Sequence, residues 1–124
     1  MDNNQLYLDT KQLIQYNQKL SEIFTQIKTA NEPADFFGVV KPTADEIWQV
    51  LDRWKPQVLD WIKIEKPKYF HPNQIESTCE NIQAVSVQAF FPDTKEKRFK
   101  ELIRSNKYIF DTLIELLEKQ EKSQ

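Results

Sequence analysis

His71 and Cys79 are the only histidine and the only cysteine in the 124 residues. A structural zinc site draws four ligands from those two residue types, so no such site is expected. A carboxylate-bridged metal centre inside a helical bundle needs inward acids and a Glu-x-x-His pair, but Lys68 stands three places before His71. Cys79 follows Ile75 by four residues and precedes Ile82 by three. That spacing puts it on the buried face of a helix, where a thiol acts as a small apolar filler rather than a nucleophile. With Gly38 as the single glycine, a Gly-rich phosphate loop is excluded, and no Ser-His-Asp order suggests itself. The sequence therefore predicts no catalytic residue, no metal and no cofactor.

Three arrangements of polar or aromatic residues are left. Lys68, Tyr69 and His71 bunch donors just ahead of a predicted helix start, where free amides and the helix dipole favour anions. They form a candidate small-ligand site. Asp35 and Arg98 are a candidate structural pair, with Lys97 as a second choice of donor and two separately solvated charges as the alternative. Trp48 lies off the apolar stripe that carries Trp54 and Trp61, and reads more readily as a partly covered rim residue than as an anchor for a partner. The basic clusters Lys63, Lys66, Lys68 and Lys95, Lys97, Arg98, Lys100 are interrupted by Glu65 and Glu96, which suits solvated helix ends.

These residues must be held by helices. A single glycine leaves too few positions for the tight turns of an all-β protein. Leu6, Leu13, Leu20 and Ile27 recur every seven residues, predicting a helix over 4–28. Thr43-Ala44-Asp45-Glu46 reads as a capping box opening a second helix over 43–64, striped by Ile47, Leu51, Trp54, Val58 and Trp61. Pro56 falls inside that stripe and should kink it by removing one backbone hydrogen bond. Pro72 suits a first helical position, and a third helix is expected over 73–91. Asp93-Thr94-Lys95-Glu96 repeats the capping pattern ahead of a fourth stripe over 94–119, with fraying from about 120. Phe36 and Phe37, in the break between the first two helices, are expected to fold back over the end of the core.

The fold class is all-α: an antiparallel up-down-up-down four-helix bundle making one domain over 1–124. The 29–42 loop and the 91–94 turn should share one end, and the 65–72 connector and both termini the other. With 17 basic and 19 acidic residues interspersed, net charge −2, no nucleic-acid footprint is apparent. No run approaches the roughly 20 apolar residues of a membrane span, and Met1-Asp2-Asn3-Asn4-Gln5 lacks the pattern of a signal peptide. With a lone cysteine, these features point to the cytoplasm.

Asp35-Phe36-Phe37 with Lys41-Pro42, Ile62-Lys63 with Pro67-Lys68-Tyr69 and His71, Gln74-Ile75-Glu76, and Lys97-Arg98-Phe99-Lys100 occur in that order. Through these segments the chain resembles the YppE-like family of small proteins from Gram-positive bacteria of the Bacillus and Staphylococcus type. Pro56 departs from the family pattern. The resemblance implies an all-helical bundle in a bacterial cytoplasm, and brings no activity, cofactor or site residue. The leading functional expectation is a non-enzymatic protein-binding or regulatory module of undetermined oligomeric state. The alternative is a small-molecule or anion binder, or small enzyme, with a pocket at one bundle end.

Overall fold

The computed structural model describes residues 3–122, and its helices are α1 (Asn4–Ala30), α2 (Lys41–Glu65), α3 (Pro72–Gln88) and α4 (Glu96–Lys122), with a single π-turn, Phe36–Val40, leading into α2. Contacts between residues far apart in sequence fix the topology. Phe24 stacks near Phe99, and Asn3 donates to Gln120. Those pairs run in opposite directions, so α1 and α4 are antiparallel. Thr10–Trp54 and Tyr16–Glu46 show the same for α1 and α2, and Trp48–Ser86 and Lys55–Glu76 for α2 and α3. Across the diagonal, Trp54 meets Phe110 and Trp61 meets Gln120, in parallel order. This is the up-down-up-down bundle that the four stripes predict.

The core takes buried residues from every helix, including Leu13 and Leu20, Trp54 and Val58, Ile75 and Ile82, Phe99 and Phe110. Burying side chains of this size contributes about 1.5–3 kcal/mol each, which lets helices of ordinary propensity persist. Helix ends follow local chemistry. α1 stops at Asn31, which takes the left-handed conformation that asparagine tolerates and donates its N–H to Ile27 O at 2.8 Å. α2 stops at Lys66, also left-handed, because the following Pro67 disfavours continued helix. α3 opens with Pro72, and just ahead of it the His71 N–H donates to Gln74 Oε1 at 2.6 Å.

Several boundaries differ from the sequence expectation, each for a physical reason. The Thr43 capping box does not form, because the chain enters α2 through the π-turn. There Val39 and Val40 donate to Asp35 O and Lys41 to Phe36 O, so the helix is already running when Thr43 is reached. Thr94 does not open α4. Its hydroxyl donates to Gln88 O at 2.8 Å and closes the end of α3 instead. α2 runs through Pro56 without interruption from Lys41 to Glu65, as the stripe predicts. Pro56 and Asp52 both face solvent, where water can serve the freed carbonyl of Asp52, and the Gln57 side-chain amide donates to the next carbonyl, Arg53 O, at 2.9 Å.

The end of α4 is also more ordered than its fading stripe suggests. Helix continues to Lys122, and Gln120 Oε1 accepts from Trp61 Nε1 at 3.0 Å and Asn3 Nδ2 at 3.2 Å, while its amide donates to Glu65 at 2.7 Å. One polar side chain thus ties α4 to α1 and α2. Ser123 and Gln124, the rest of the expected frayed tail, lie outside the described residues. All three indoles sit on α2 and each donates to a different helix: Trp48 to Ser86 on α3, Trp54 to Thr10 on α1, and Trp61 to Gln120 on α4. Trp48 is the rim residue of the sequence reading, with its polar edge satisfied.

Candidate functional site

Three places combine polar or exposed apolar groups in ways a bundle does not require. The first is the α1–α2 seam. Gln5, Asp9, Gln12 and Tyr16 recur at helical spacing beside the leucine stripe of α1, and Arg53 and Gln57 project toward them from α2. The Asp9 side chain is 2% exposed and that of Arg53 is 49%. Arg53 holds Asp9 from Nε and from its terminal amino group, the latter at 2.9 Å, while Gln57 and Gln5 donate at 2.9 and 2.8 Å. Burial alone would raise the Asp9 carboxyl. The donors of Arg53, Gln57 and Gln5 outweigh it and hold the group below the usual carboxylate range. Further along, Tyr16 donates to Glu46 at 2.9 Å and accepts from Gln12 at 3.0 Å, and burial and the Glu46 carboxylate push the phenol up. Asp9 is fully committed to fastening α1 to α2.

The second place is the α1–α4 face. A cavity of about 360 Å³ opens there between Ile14, Asn17, Gln18, Ser21 and Glu22 on α1 and Ile103 and Lys107 on α4. Asn17 donates to Ile103 O at 3.0 Å and accepts from Asn106 at 3.1 Å. Both amides are buried, and the Asn106 carbonyl oxygen has no hydrogen-bond partner. Two short amides stand where larger apolar side chains would close the joint.

The third is the π-turn. Phe36 and Phe37 pack edge-to-face, centroids 5.1 Å apart, yet are 45% and 78% exposed. Val39 is exposed beside them, and only Val40 reaches the core. The expectation that Phe36 and Phe37 cover the core is therefore corrected. Phe24, Phe90 and Phe99 already close that end, leaving the turn no apolar surface to cover. The Asp35 carboxylate lies against Gly38, and a Cβ added there would only displace that exposed side chain, since Gly38 has no positive φ.

Asp35 and Arg98 do share one end of the bundle, but the described residues form no ion pair between them. The Asp35 carboxylate is turned back onto Gly38, and Arg98 is exposed. The loop and the α3–α4 turn are joined instead by Ala34 N–H to Phe90 O at 3.1 Å and by Lys28 Nζ to Pro92 O at 3.0 Å. Lys68, Tyr69 and His71 are all exposed, with Tyr69 in a left-handed conformation and 85% accessible, and no hydrogen bond links them. Among the described residues no group of three His, Cys, Asp or Glu could hold a metal ion.

Sequence reasoning missed Asp9, Arg53 and Gln57. The available signal was the 4-3-4 spacing of Gln5, Asp9, Gln12 and Tyr16, a polar row too close to the leucines to face open water.

Residues 10–117 match the profile of a bacterial domain of unknown function, DUF1798, and the chain belongs to that family. The YppE protein of Bacillus subtilis is 32% identical over 99 residues, which are 80% of each chain. Its crystal structure superposes with a TM-score of 0.92 at 28% identity, covering 98% of this chain and 99% of that one. A Listeria innocua protein of unknown function gives the same TM-score and identity over 97% and 96% of the two chains. A Staphylococcus aureus member of the family shares the fold at 22% identity, with a TM-score of 0.80 over 93% and 97%.

Proposed function

We propose that the protein is a non-enzymatic cytoplasmic binding module that recognises an apolar segment of a partner protein through Phe36, Phe37 and Val39. The observation that carries this reading is the edge-to-face phenylalanine pair left in water on a turn the fold builds for it. Aromatic side chains dominate the centres of protein interfaces because each removes a large apolar area from water, at about 25 cal/mol per Å². A π-turn held by three backbone hydrogen bonds fixes the backbone that carries the rings before binding, so less ordering entropy is lost on contact than from an open loop.

The reactive side chains favour no chemistry. The Cys79 thiol, buried and pushed up to about 11 by desolvation, stays protonated at neutral pH. Asp9 spends its oxygens on Arg53, Gln57 and Gln5. A lone buried cysteine suits a reducing compartment, and among the described residues no helix is long and apolar enough to cross a membrane.

A Phe36→Ser, Phe37→Ser double variant tests the proposal. Its melting temperature should stay within about 2–4 °C of the parent, since both sites are exposed. Affinity isolation from the native cytoplasm, read by quantitative mass spectrometry, should recover a protein with the parent that the variant loses. Equal recovery on both would overturn the reading.

A further inference from the structure

The first half of α4 carries charge of the opposite sign to the chain as a whole. From Lys95 to Lys107 six cations stand against Glu96 and Glu101, although the net charge of the protein is −2. Lys97, Lys100, Arg104 and Lys107 are spaced 3-4-3 and form one stripe. Lys107 lines the α1–α4 cavity, and Arg104, one turn before it on the exposed side of α4, lies next to it along the stripe. Lys100 and Lys107 pair with Glu96 and Asp111 only in the exposed, solvent-screened manner, which a ligand carboxylate can replace. Arg104 forms no ion pair among the described residues and offers a fork suited to a carboxylate.

We propose that the groove between α1 and α4 docks an acidic amphipathic helix of a partner protein, with an apolar side chain between Ile14 and Ile103 and carboxylates on Arg104 and Lys107. A volume of about 360 Å³ accepts one or two side chains but lies at the small end for a cofactor, whose pockets run to about 1,000 Å³. Ile14 and Ile103 are partly buried against the core and form apolar walls that can receive an anchor. The charge pattern sets the direction. Glu22 lies toward the Phe24–Phe99 end of the groove, so the acidic side of the segment belongs at the opposite end, beside Lys107. This helix-in-groove mode is separate from the π-turn contact, and the two surfaces can fail independently.

The test uses the full chain, ¹⁵N-labelled, and a synthetic helical peptide with two leucines four residues apart flanked by glutamates. Amides of 14–22 and 103–107 should shift on titration, with affinity falling as salt rises. A leucine-free glutamate peptide should bind at least about tenfold more weakly, since it lacks the anchor. Arg104→Glu with Lys107→Glu should weaken the leucine peptide about tenfold or more. Ser21→Tyr, which fills the groove without touching the cations, should weaken it likewise. The Phe36→Ser, Phe37→Ser variant should bind the peptide as the parent does.

Equal binding of both peptides, shifts centred on 36–39, or no shift at ~1 mM peptide would overturn the proposal. So would shifts of the same residues by phosphatidylglycerol vesicles or an oligonucleotide in the absence of any peptide response, which would assign the stripe to a membrane or to nucleic acid.

Discussion

Helix α1 meets its two neighbours in opposite ways. Against α2 its polar side chains are met by long ones reaching across and are satisfied: Asp9 by Arg53 and Gln57, with Gln5 of its own helix, Thr10 by Trp54, and Tyr16 by Glu46. Against α4 it uses short amides that meet in the interior, leave the Asn106 oxygen unpaired and open a groove above them. The first joint behaves as a fastened seam, the second as a face with room in it. A complete hydrogen-bond set rigidifies a packed interface, while an incomplete one marks where packing was given up.

The largest effect expected in this contrast is at Trp54, fully buried against Phe110 with its indole N–H on Thr10. Trp54→Ala should cost about 3–5 kcal/mol in denaturant unfolding, from lost burial and the cavity left behind. A change under 1 kcal/mol would mean the centre of the seam carries little of the fold.

Asp9→Asn should cost about 1–3 kcal/mol, because a buried charged acceptor loses strength at several donors together. Its pH dependence gives a second readout. The folded state depresses the Asp9 pKa, so its stabilisation is present above the unfolded value of about 3.9 and is lost as pH falls through the folded one. Parent stability should therefore drop on acidification below about pH 4, and Asp9→Asn should flatten that slope. An identical slope in both proteins would show that the seam does not favour the ionised carboxylate.

Asn106→Leu, on the other joint, should change stability by less than about 1 kcal/mol in either direction. It removes one unpaired buried oxygen and leaves another, Asn17 Oδ1, without the Asn106 donor, while burying more apolar surface beside the groove. A loss as large as that of Asp9→Asn would erase the distinction between the two faces. Smallest of all, Tyr16→Phe should cost about 0.5 kcal/mol, since its bond to Glu46 is exposed. A larger cost would extend the strong part of the seam to its rim.

The four stripes were legible because burial imposes the helical period on apolar residues, and Leu6, Leu13 and Leu20, like Trp54 and Cys79, lie inside as spaced. Pro72 marked a helix start because proline carries its preference locally. What escaped the sequence depended on competition between partners. Thr43 and Glu46 have the composition of a cap, but the π-turn starts the helix at Lys41, so neither stands at a free helix start. Phe36 and Phe37 are apolar enough for the core, but Phe24, Phe90 and Phe99 occupy the space. Asp9 was missed because the polar row it shares with Gln5, Gln12 and Tyr16 does not say that Arg53 and Gln57 will face it across the antiparallel register. Neither the groove nor the π-turn patch could be read in advance, since each exists only as what packing leaves uncovered.

The placement of all three tryptophans on α2, each hydrogen-bonded to a different neighbour, makes that helix a built-in optical gauge of the whole bundle. Indole emission shifts to the red as the ring gains water. Chains keeping only Trp48, only Trp54 or only Trp61 would report separately on the joints of α2 with α3, α1 and α4. Stopped-flow traces from the three would then show whether the bundle comes apart at one joint before the others or all at once.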